Sequence, residues 1–561
     1  MPALILGPML RYIGATEATV WVETDAACQV QVLGHRASTF QVRGHHYALV
    51  HMTDLQPATH HRYTVELDGT QVWPEPDSPY PASVIRTFDP DAPLRIAFGS
   101  CRVAMPNEPP YTLTHAENPE HGFETDALCA LALRMRGQPA EDWPHQLIMI
   151  GDQIYADDVS PAVRDFIHSR RDTSEAPGEE LADFEEFTRL YRDSWGQPDI
   201  RWLLSTIPSA MIFDDHDVND DWNTSRSWVE DMRALPWWHK RITGAFMSYW
   251  IYQHLGNLSP EELYKDDVFE HARRSGPDED FGPRLHEFAC VADRQHDAYR
   301  WSFHRDFGKV RLLVVDSRAG RVLGEGRRDM LDESHWRWLE AHAEGDFDHL
   351  LIGTSLPIML AHGIHYLEGW DEAVCDGAWG RWLTGTGERI RRRLDLEHWS
   401  AFHASFRRIV ELIRAVAAGE HGRAPATITV LSGDVHHVYL AKATFDGPPV
   451  KSAVYQAVCS PLRNPLGKWK RRIMRACWTW PIIALTRGMA RLAGVKKDAV
   501  SWRLCHEQPW FDNQVASLEL DGPRATIRFE RATPGQPNQP PLDELFTHRL
   551  SPQTTAASHG A

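Results

Sequence analysis

Apolar and polar positions alternate in short runs over the first part of the chain. Thr19-Val20-Trp21-Val22-Glu23 and Cys28-Gln29-Val30-Gln31-Val32 both fit a period of two, with β-branched residues on one face. Residues 1–90 are therefore predicted to be all β. Turn formers crowd Phe88-Asp-Pro-Asp-Ala-Pro93, which marks a linker. From Leu94 the texture changes. Six short apolar runs, at 94–98, 146–150, 210–213, 310–315, 350–352 and 428–431, read as buried strands. Helical spacing appears between them. One helix is predicted over 124–136, with Leu128, Leu131 and Leu133. Another is predicted over 396–418, with Trp399, Phe402, Phe406, Ile409, Ile413 and Val416 on one face and Gly419 as its stop. This gives an α/β (α+β) domain over 94–531. The Pro- and Gln-rich stretch from Thr533 predicts a flexible tail over 532–561.

Within the β region, Leu55-Gln-Pro-Ala-Thr59-His-His-Arg-Tyr63-Thr-Val65 resembles the Leu-x-Pro-x-Thr-x-x-x-Tyr-x-Val stretch of fibronectin-type-III-like sandwiches. The resemblance implies a β-sandwich in which Tyr63 forms a corner that pins a loop to the next strand.

The residues after each apolar run carry the chemistry. Gly99-Ser-Cys101-Arg102, Gly151-Asp152-Gln-Ile-Tyr155 and Asp214-Asp215-His216-Asp217 follow the first three. Asp316-Ser-Arg318, Gly353-Thr-Ser-Leu-Pro357 and Ser432-Gly433-Asp434-Val-His436 follow the others. Sites of open α/β sheets lie outside the carboxyl ends of their strands. Residues 214–221 are dense in carboxylates, and Asp152, Asp157 and Asp158 add more. Carboxylates within about 4–6 Å raise one another's pKa unless a cation intervenes. Hard oxygens beside imidazole suit Mg, Ca, Mn, Fe or Zn. Asp152 and Tyr155 read as a carboxylate that can bridge two metals and a phenolate that suits a hard, highly charged ion such as Fe(III), or as a turn Asp and a core Tyr. Asp434 and His436 are two apart, so in extended geometry they face one way and reach one centre. Cys101 reads as a thiolate ligand or as a small buried residue. His216 reads as a ligand, a general acid or a structural hydrogen bonder.

Taken in order, these motifs resemble the alkaline phosphatase D (PhoD-like) branch of the calcineurin-like metallophosphoesterases. The residues that carry the resemblance are Gly99-Ser-Cys101-Arg, Gly151-Asp152-Gln-Ile-Tyr155-Ala-Asp157, the run 214–222, Val315-Asp316-Ser-Arg318 and Leu431-Ser-Gly-Asp434-Val-His436. The resemblance implies a four-layer αββα domain, with two mixed sheets flanked by helices. It implies that Cys101, Asp152, Tyr155 and His436 hold a first metal, iron(III). Asp152 would bridge to a second, calcium or another divalent ion (Mn, Zn or Mg), with Asp215 and Asp434. His216 would contact the phosphate or protonate the leaving oxygen. Asn219 or Asp220 would hold an additional cation. Arg102 or Arg318 would offer a bidentate contact to a phosphate oxygen, against the plainer reading of an ordinary ion pair. The family's middle histidine has no counterpart after the fifth run, where Thr354-Ser355 stands. His362 and His365 lie downstream, and the role stays unassigned. The activity implied is hydrolysis of phosphomonoesters or phosphodiesters, from small molecules or lipids, by a metal-activated water. Two other readings stand beside it: a hydrolase of the same fold acting on a non-phosphate ester, and a calcium-holding binding or structural protein without hydrolase activity.

One segment departs from this picture. Residues 461–503 carry eleven Lys and Arg against Asp498 alone, interleaved with Trp469, Ile473, Trp478, Trp480, Leu485 and Leu492. Such segments suit peripheral contact with anionic membrane surfaces, or a lid over an anionic substrate. The plainer alternative is a pair of packed helices whose basic face meets this protein's own acidic surface.

Composition bounds the rest. The chain has 561 residues and a formal net charge of −18, which excludes a protein that coats nucleic acid through its phosphates. The start of the chain has no basic n-region or secretory apolar core, and no apolar stretch nears the ~20 residues of a bilayer span. Eight cysteines without a CxxC pair form no disulfide or zinc framework. The expectation is a cytoplasmic protein with reduced thiols.

Overall fold

The alternation near the N-terminus folds as two four-stranded antiparallel sheets. One has the order Leu4–Ile13, Ala18–Thr24, His45–Met52, Phe40–Val42, and the other His35–Ser38, Gln29–Val32, Val65–Leu67, Thr70–Trp73. A short ladder of His60–Arg62 with Val84–Arg86 completes this all-β region. The computed structural model describes residues 1–276, 279–324, 326–535 and 541–551.

All six apolar runs are strands. Leu94–Gly99, Gln146–Ile150 and Ser209–Ile212 pair in parallel, and Gln514–Asp521, Arg524–Ala532 and Leu542–Arg549 extend that sheet antiparallel. A seven-stranded sheet runs Phe303–Phe307, Val310–Val315, His349–Thr354, Thr427–Ser432, Ala453–Val458, Tyr439–Phe445, Val500–Leu504, with its middle four strands parallel. The two sheets pack face to face, and a period of two sorts their side chains. Leu312, Val314, Leu351, Leu431 and Ala457 join the core shared with the six-stranded sheet. Leu313, Val315, Ile352, Val430 and Val458 face the outer helices Glu333–Ala343 and His403–Ala418. Sheet on sheet with helices outside is the layered arrangement expected. All eight cysteines are free thiols. Among the described residues, no helix is long and apolar enough to cross a membrane.

Three expectations change. Within the tail expected over 532–561, residues 542–549 form an edge strand, because the ladder with Arg524–Ala532 satisfies their backbone. Residues 536–540 and 552–561 of that tail lie outside the described residues. The second predicted helix begins at His403, not 396. Asp395 takes a left-handed φ of 54°, and Trp399–Ala401 makes a 3₁₀ turn before the helix starts. Gly419 does stop it, at φ 82°. The first predicted helix starts at Ala127, where the Asp126 carboxylate accepts the N–H groups of Leu128 and Cys129.

Tyr63 does not close a corner inside the sandwich. Its hydroxyl donates to the Ser205 carbonyl at 2.5 Å, on helix Pro198–Thr206 of the α/β domain. The same interface holds Arg11, whose guanidinium donates to the carbonyls of Tyr252 and Gln253 at 2.6 Å each, and the buried Glu23–Arg192 pair at 2.6 Å. Trp21, Tyr47 and Leu49 share one apolar core with the α/β domain, so the sandwich is docked on it as a fixed element.

Candidate metal centre

The carboxyl ends of Leu94–Gly99, Gln146–Ile150, Ser209–Ile212 and Thr427–Ser432 converge between the sheets. Each leads directly into a bend. Cys101, Asp152, Asp434 and His436 all sit in the left-handed region, with φ of 56°, 53°, 64° and 47°. Non-glycine residues rarely adopt it, and clusters of such strain mark functional sites. Gly151 (φ 91°) is required there, since a Cβ would lie 2.7 Å from Cβ of Asp214. The spacing argument for Asp434 and His436 fails in its premise. They are not extended, and they serve adjacent groups of donors.

In the first group, ligand atoms of Cys101, Asp152 and His436 lie within 4.8 Å of one another. Cys101 Sγ is 3.3 Å from Asp152 Oδ2, and the Tyr155 hydroxyl is 3.3 Å from the same oxygen. Ser460 Oγ donates to Sγ of Cys101 at 3.1 Å. Burial, then the charge of Asp434, pushes the Cys101 thiol up to about 12. Burial, then Cys101, holds the Asp152 carboxyl well above its usual range. Burial lowers His436 to about 4 and leaves it neutral, the form that ligates.

The second group joins Asp214, Asp215 and Asp434 within the same 4.8 Å. Burial raises the carboxyls of Asp214 and Asp215. Asp152 Oδ1 and Asp214 Oδ2 are buried without a hydrogen-bond partner. A buried carboxylate oxygen left so is costly unless a cation meets it. A thiol, a phenol, an imidazole and bare carboxylate oxygens brought together are therefore a donor set that fits metal ions.

His216 stands beside both groups. Its Nδ1 is 2.8 Å from Asp157 Oδ1, and its ring stacks on Tyr155 at 4.3 Å. Burial opposes its charge, but Asp157 and Asp215 outweigh it and hold the imidazolium pKa well above the usual value. Asp220 lies 3.6 Å from Nε2 of His216, whereas the Asn219 amide is turned to the Asp220 carbonyl. Asp217 is a bracket: its Oδ2 accepts the N–H groups of Asp152 (2.9 Å) and Asp214 (3.0 Å) and so ties two strand ends together.

The two arginines depart from expectation. Arg102 points away from the centre and is buried on Asp126 (2.8 Å), the Ser194 carbonyl (3.1 Å) and Gln197 (2.9 Å). With every edge engaged, it holds the first helix rather than a phosphate. Arg318 reaches the centre from beneath. Fully buried, it pairs with Asp214, with Glu397 at 2.5 Å, with Asp215 at 3.2 Å and with Asp434 at 3.5 Å. It offers fixed positive charge under the carboxylates and has no open edge toward solvent.

Sequence reasoning missed His398. Its Nε2 is 2.8 Å from Asp434 Oδ2 and its Nδ1 2.6 Å from Glu368 Oε1. Burial opposes its charge, but Glu368 and Asp434 raise its pKa well above the usual value. No strand precedes His398, so the strand-end rule could not find it. The only signal was the adjacent pair Glu397-His398 inside an apparent helix. His362 and His365 go elsewhere, to the Trp502 carbonyl (3.0 Å) and Asp498 (3.0 Å).

A family model of PhoD-like phosphatases matches residues 133–270, and one described as a domain of unknown function (DUF7800) matches residues 1–85. The first match takes in Asp152, Tyr155 and the run 214–222, and it bears out the resemblance carried by those motifs. The chain is similar to a solved structure of PhoD over 98% of its own length and 90% of that chain, at 11% identity and a TM-score of 0.56, which shows a common fold. It also aligns with purple acid phosphatase PPD1 from yellow lupin (Lupinus luteus) seeds, over 96% of this chain and 73% of that one, at 10% identity and a TM-score of 0.45. No curated protein matches the chain.

Proposed function

We propose that this chain, whose residues 133–270 match the PhoD-like phosphatases, hydrolyses phosphomonoesters or phosphodiesters at the centre between its two sheets. The observation that carries the reading is the convergence of Cys101, Asp152 and His436 on one point and of Asp214, Asp215 and Asp434 on the next. Cys101, Asp152, Tyr155 and His436 would hold one cation, and Asp152, Asp215, Asp434 and His398 a second. Thiolate and phenolate favour iron(III) at the first position. The carboxylate-rich second suits calcium or another divalent ion. When bound, such ions supply charge to a phosphoryl group and lower the pKa of water at the site.

The chain's own side chains do the rest. Asp157 holds Nδ1 of His216, which fixes the tautomer and leaves Nε2 to carry a proton toward a leaving oxygen. Stacking on Tyr155 fixes the plane of the ring. Arg318 offsets the repulsion among Asp214, Asp215 and Asp434, and so allows them to stand together before any cation binds. The reading of a calcium-holding structural protein is disfavoured by Cys101, since calcium takes oxygen ligands.

Metal analysis of the purified protein, with parallel assays on para-nitrophenyl phosphate and bis-para-nitrophenyl phosphate, tests the proposal. Bound metal with turnover of either ester is expected. Protein with bound metal and no turnover of either would overturn it.

A further inference from the structure

The basic segment folds as two helices, Lys468–Ala476 and Trp480–Leu492. The second packs its Thr486, Ala490 side on helix His362–Cys375, where Ala490 and Ala493 meet Trp370 and Val374. Its other side is also apolar. Trp480, Pro481, Ala484, Leu485 and Leu492 recur at helical spacing and face solvent. The first helix separately exposes Trp469 and Ile473. Exposure is high for large apolar side chains: Trp480 79%, Leu492 79%, Trp469 70% and Leu485 61%. Trp379 extends the patch, its indole N–H donating to the Leu492 carbonyl. A protein surface rarely exposes so many large apolar groups together unless something covers them.

The charges around this face are equally unspent. Arg471 pairs with Glu124 and Lys497 with Asp446. Arg463 is buried on the carbonyls of Met105 and Pro106. Among the described residues, Lys468, Lys470, Arg472, Arg491 and Lys496 form no ion pair, and all five are exposed. The plain alternative, a basic face neutralised by this protein's own acidic surface, accounts for two of the eleven cations. Trp and Leu on a helix face flanked by free Lys and Arg, in a chain otherwise strongly acidic, match the charge and polarity profile of an anionic bilayer surface.

This segment is also tied to the candidate centre. Residues 460–463 run beside 100–103: Leu462 N–H donates to the Ser100 carbonyl at 2.7 Å and Arg463 N–H to the Cys101 carbonyl at 3.1 Å. The first helix starts five residues after Arg463. Arg475 lies over the Phe511 ring at 4.9 Å, and Phe511 stacks on His437, the neighbour of His436. A surface seated on these helices would therefore lie near the segment that joins them to Cys101.

We infer that the two helices of 468–492 form a docking surface for an anionic lipid bilayer. Trp469, Trp480, Leu485 and Leu492 enter the interface, and Lys468, Arg472, Arg491 and Lys496 meet the lipid phosphates. The inference does not rest on the phosphoesterase reading, because docking is read without turnover. The full chain is mixed with vesicles of phosphatidylcholine, with or without phosphatidylglycerol, and followed by flotation. The expected result is co-flotation only with the phosphatidylglycerol vesicles, weakened by salt. Two triple variants, Trp469→Ser/Trp480→Ser/Leu492→Ser and Lys468→Glu/Arg472→Glu/Arg491→Glu, are each expected to lower partitioning at least about tenfold. Both should keep the wild-type circular dichroism spectrum and thermal unfolding midpoint, which reports that they are folded. Failure of the wild type to float, or flotation of both variants like the wild type, would overturn the inference. So would wild-type self-association, seen by light scattering, that both variants abolish. That outcome would assign the patch to a second copy of the chain.

Discussion

His398 Nε2 lies 2.8 Å from Asp434 Oδ2, while Glu368 holds the opposite nitrogen at 2.6 Å. The ring is thus oriented by one carboxylate toward another that belongs to the candidate centre. Second-position ligands held this way resist rotation, and losing one costs affinity and rate together. His398→Ala should lower kcat/KM for para-nitrophenyl phosphate by about 10–100-fold. Plasma mass spectrometry should find one fewer bound ion per chain. Unchanged metal content and turnover would remove His398 from the centre.

Asp152 touches both donor groups, so its substitution should be the most severe. Asp152→Asn keeps the shape and removes the charge that two cations would share. Elemental analysis should show loss of both ions, and hydrolysis should fall to background. Wild-type turnover in this variant would refute the two-cation arrangement.

Asp157 acts through His216 and is a positioning residue. Asp157→Asn removes the charge that keeps His216 protonated, so the pKa of His216 should fall. In the enzyme, the basic limb of the pH–rate profile should move to lower pH, with KM little changed and metal content retained. A profile that falls in amplitude without shifting would assign Asp157 a purely structural role.

Tyr63 ties the sandwich to helix Pro198–Thr206. Tyr63→Phe leaves the buried Ser205 carbonyl without this donor and should destabilise the protein by about 1–2 kcal/mol. Denaturant titration measures it. Metal content should stay unchanged, because the contact lies outside the centre.

His45 offers a pH test of the same interface. Burial lowers its pKa, but its hydrogen bond to Glu185 and the nearby carboxylate of Glu23 prevail and raise it to about 9. The raised value means that its stabilisation is fully present below about pH 6.5, the unfolded value, and is lost as pH rises through 9. Between pH 7 and 10 the wild type should lose on the order of 2 kcal/mol, a figure reduced to allow for the partly exposed Glu185. His45→Gln should flatten that decline. An identical pH dependence in both proteins would show that the pair contributes nothing.

Much of this molecule is legible in its local sequence. A strand buried on both faces must be a short apolar run, and each of the six runs is one. Polar residues at the ends of such strands stand in contiguous motifs, so Cys101, Asp152, Tyr155, Asp215, Asp434 and His436 could be singled out as candidates from those motifs and the resemblance they carry. What tertiary structure decided is direction and long-range pairing. Arg102 and Cys101 are neighbours in sequence, yet Arg102 turns to Asp126 while Cys101 turns to Asp152. Tyr63 carries the pattern of a sandwich corner but donates to a carbonyl of another domain. Residues 542–549 resemble a tail by composition until an open sheet edge supplies their hydrogen bonds. His398 sits on a loop that periodicity reads as helix, and it becomes a candidate ligand only because Glu368 and Asp434 converge on it. Burial patterns are properties of a segment. Which charged groups share a buried space depends on how segments meet, and the cost of leaving a buried charge unpaired settles that only in the folded chain.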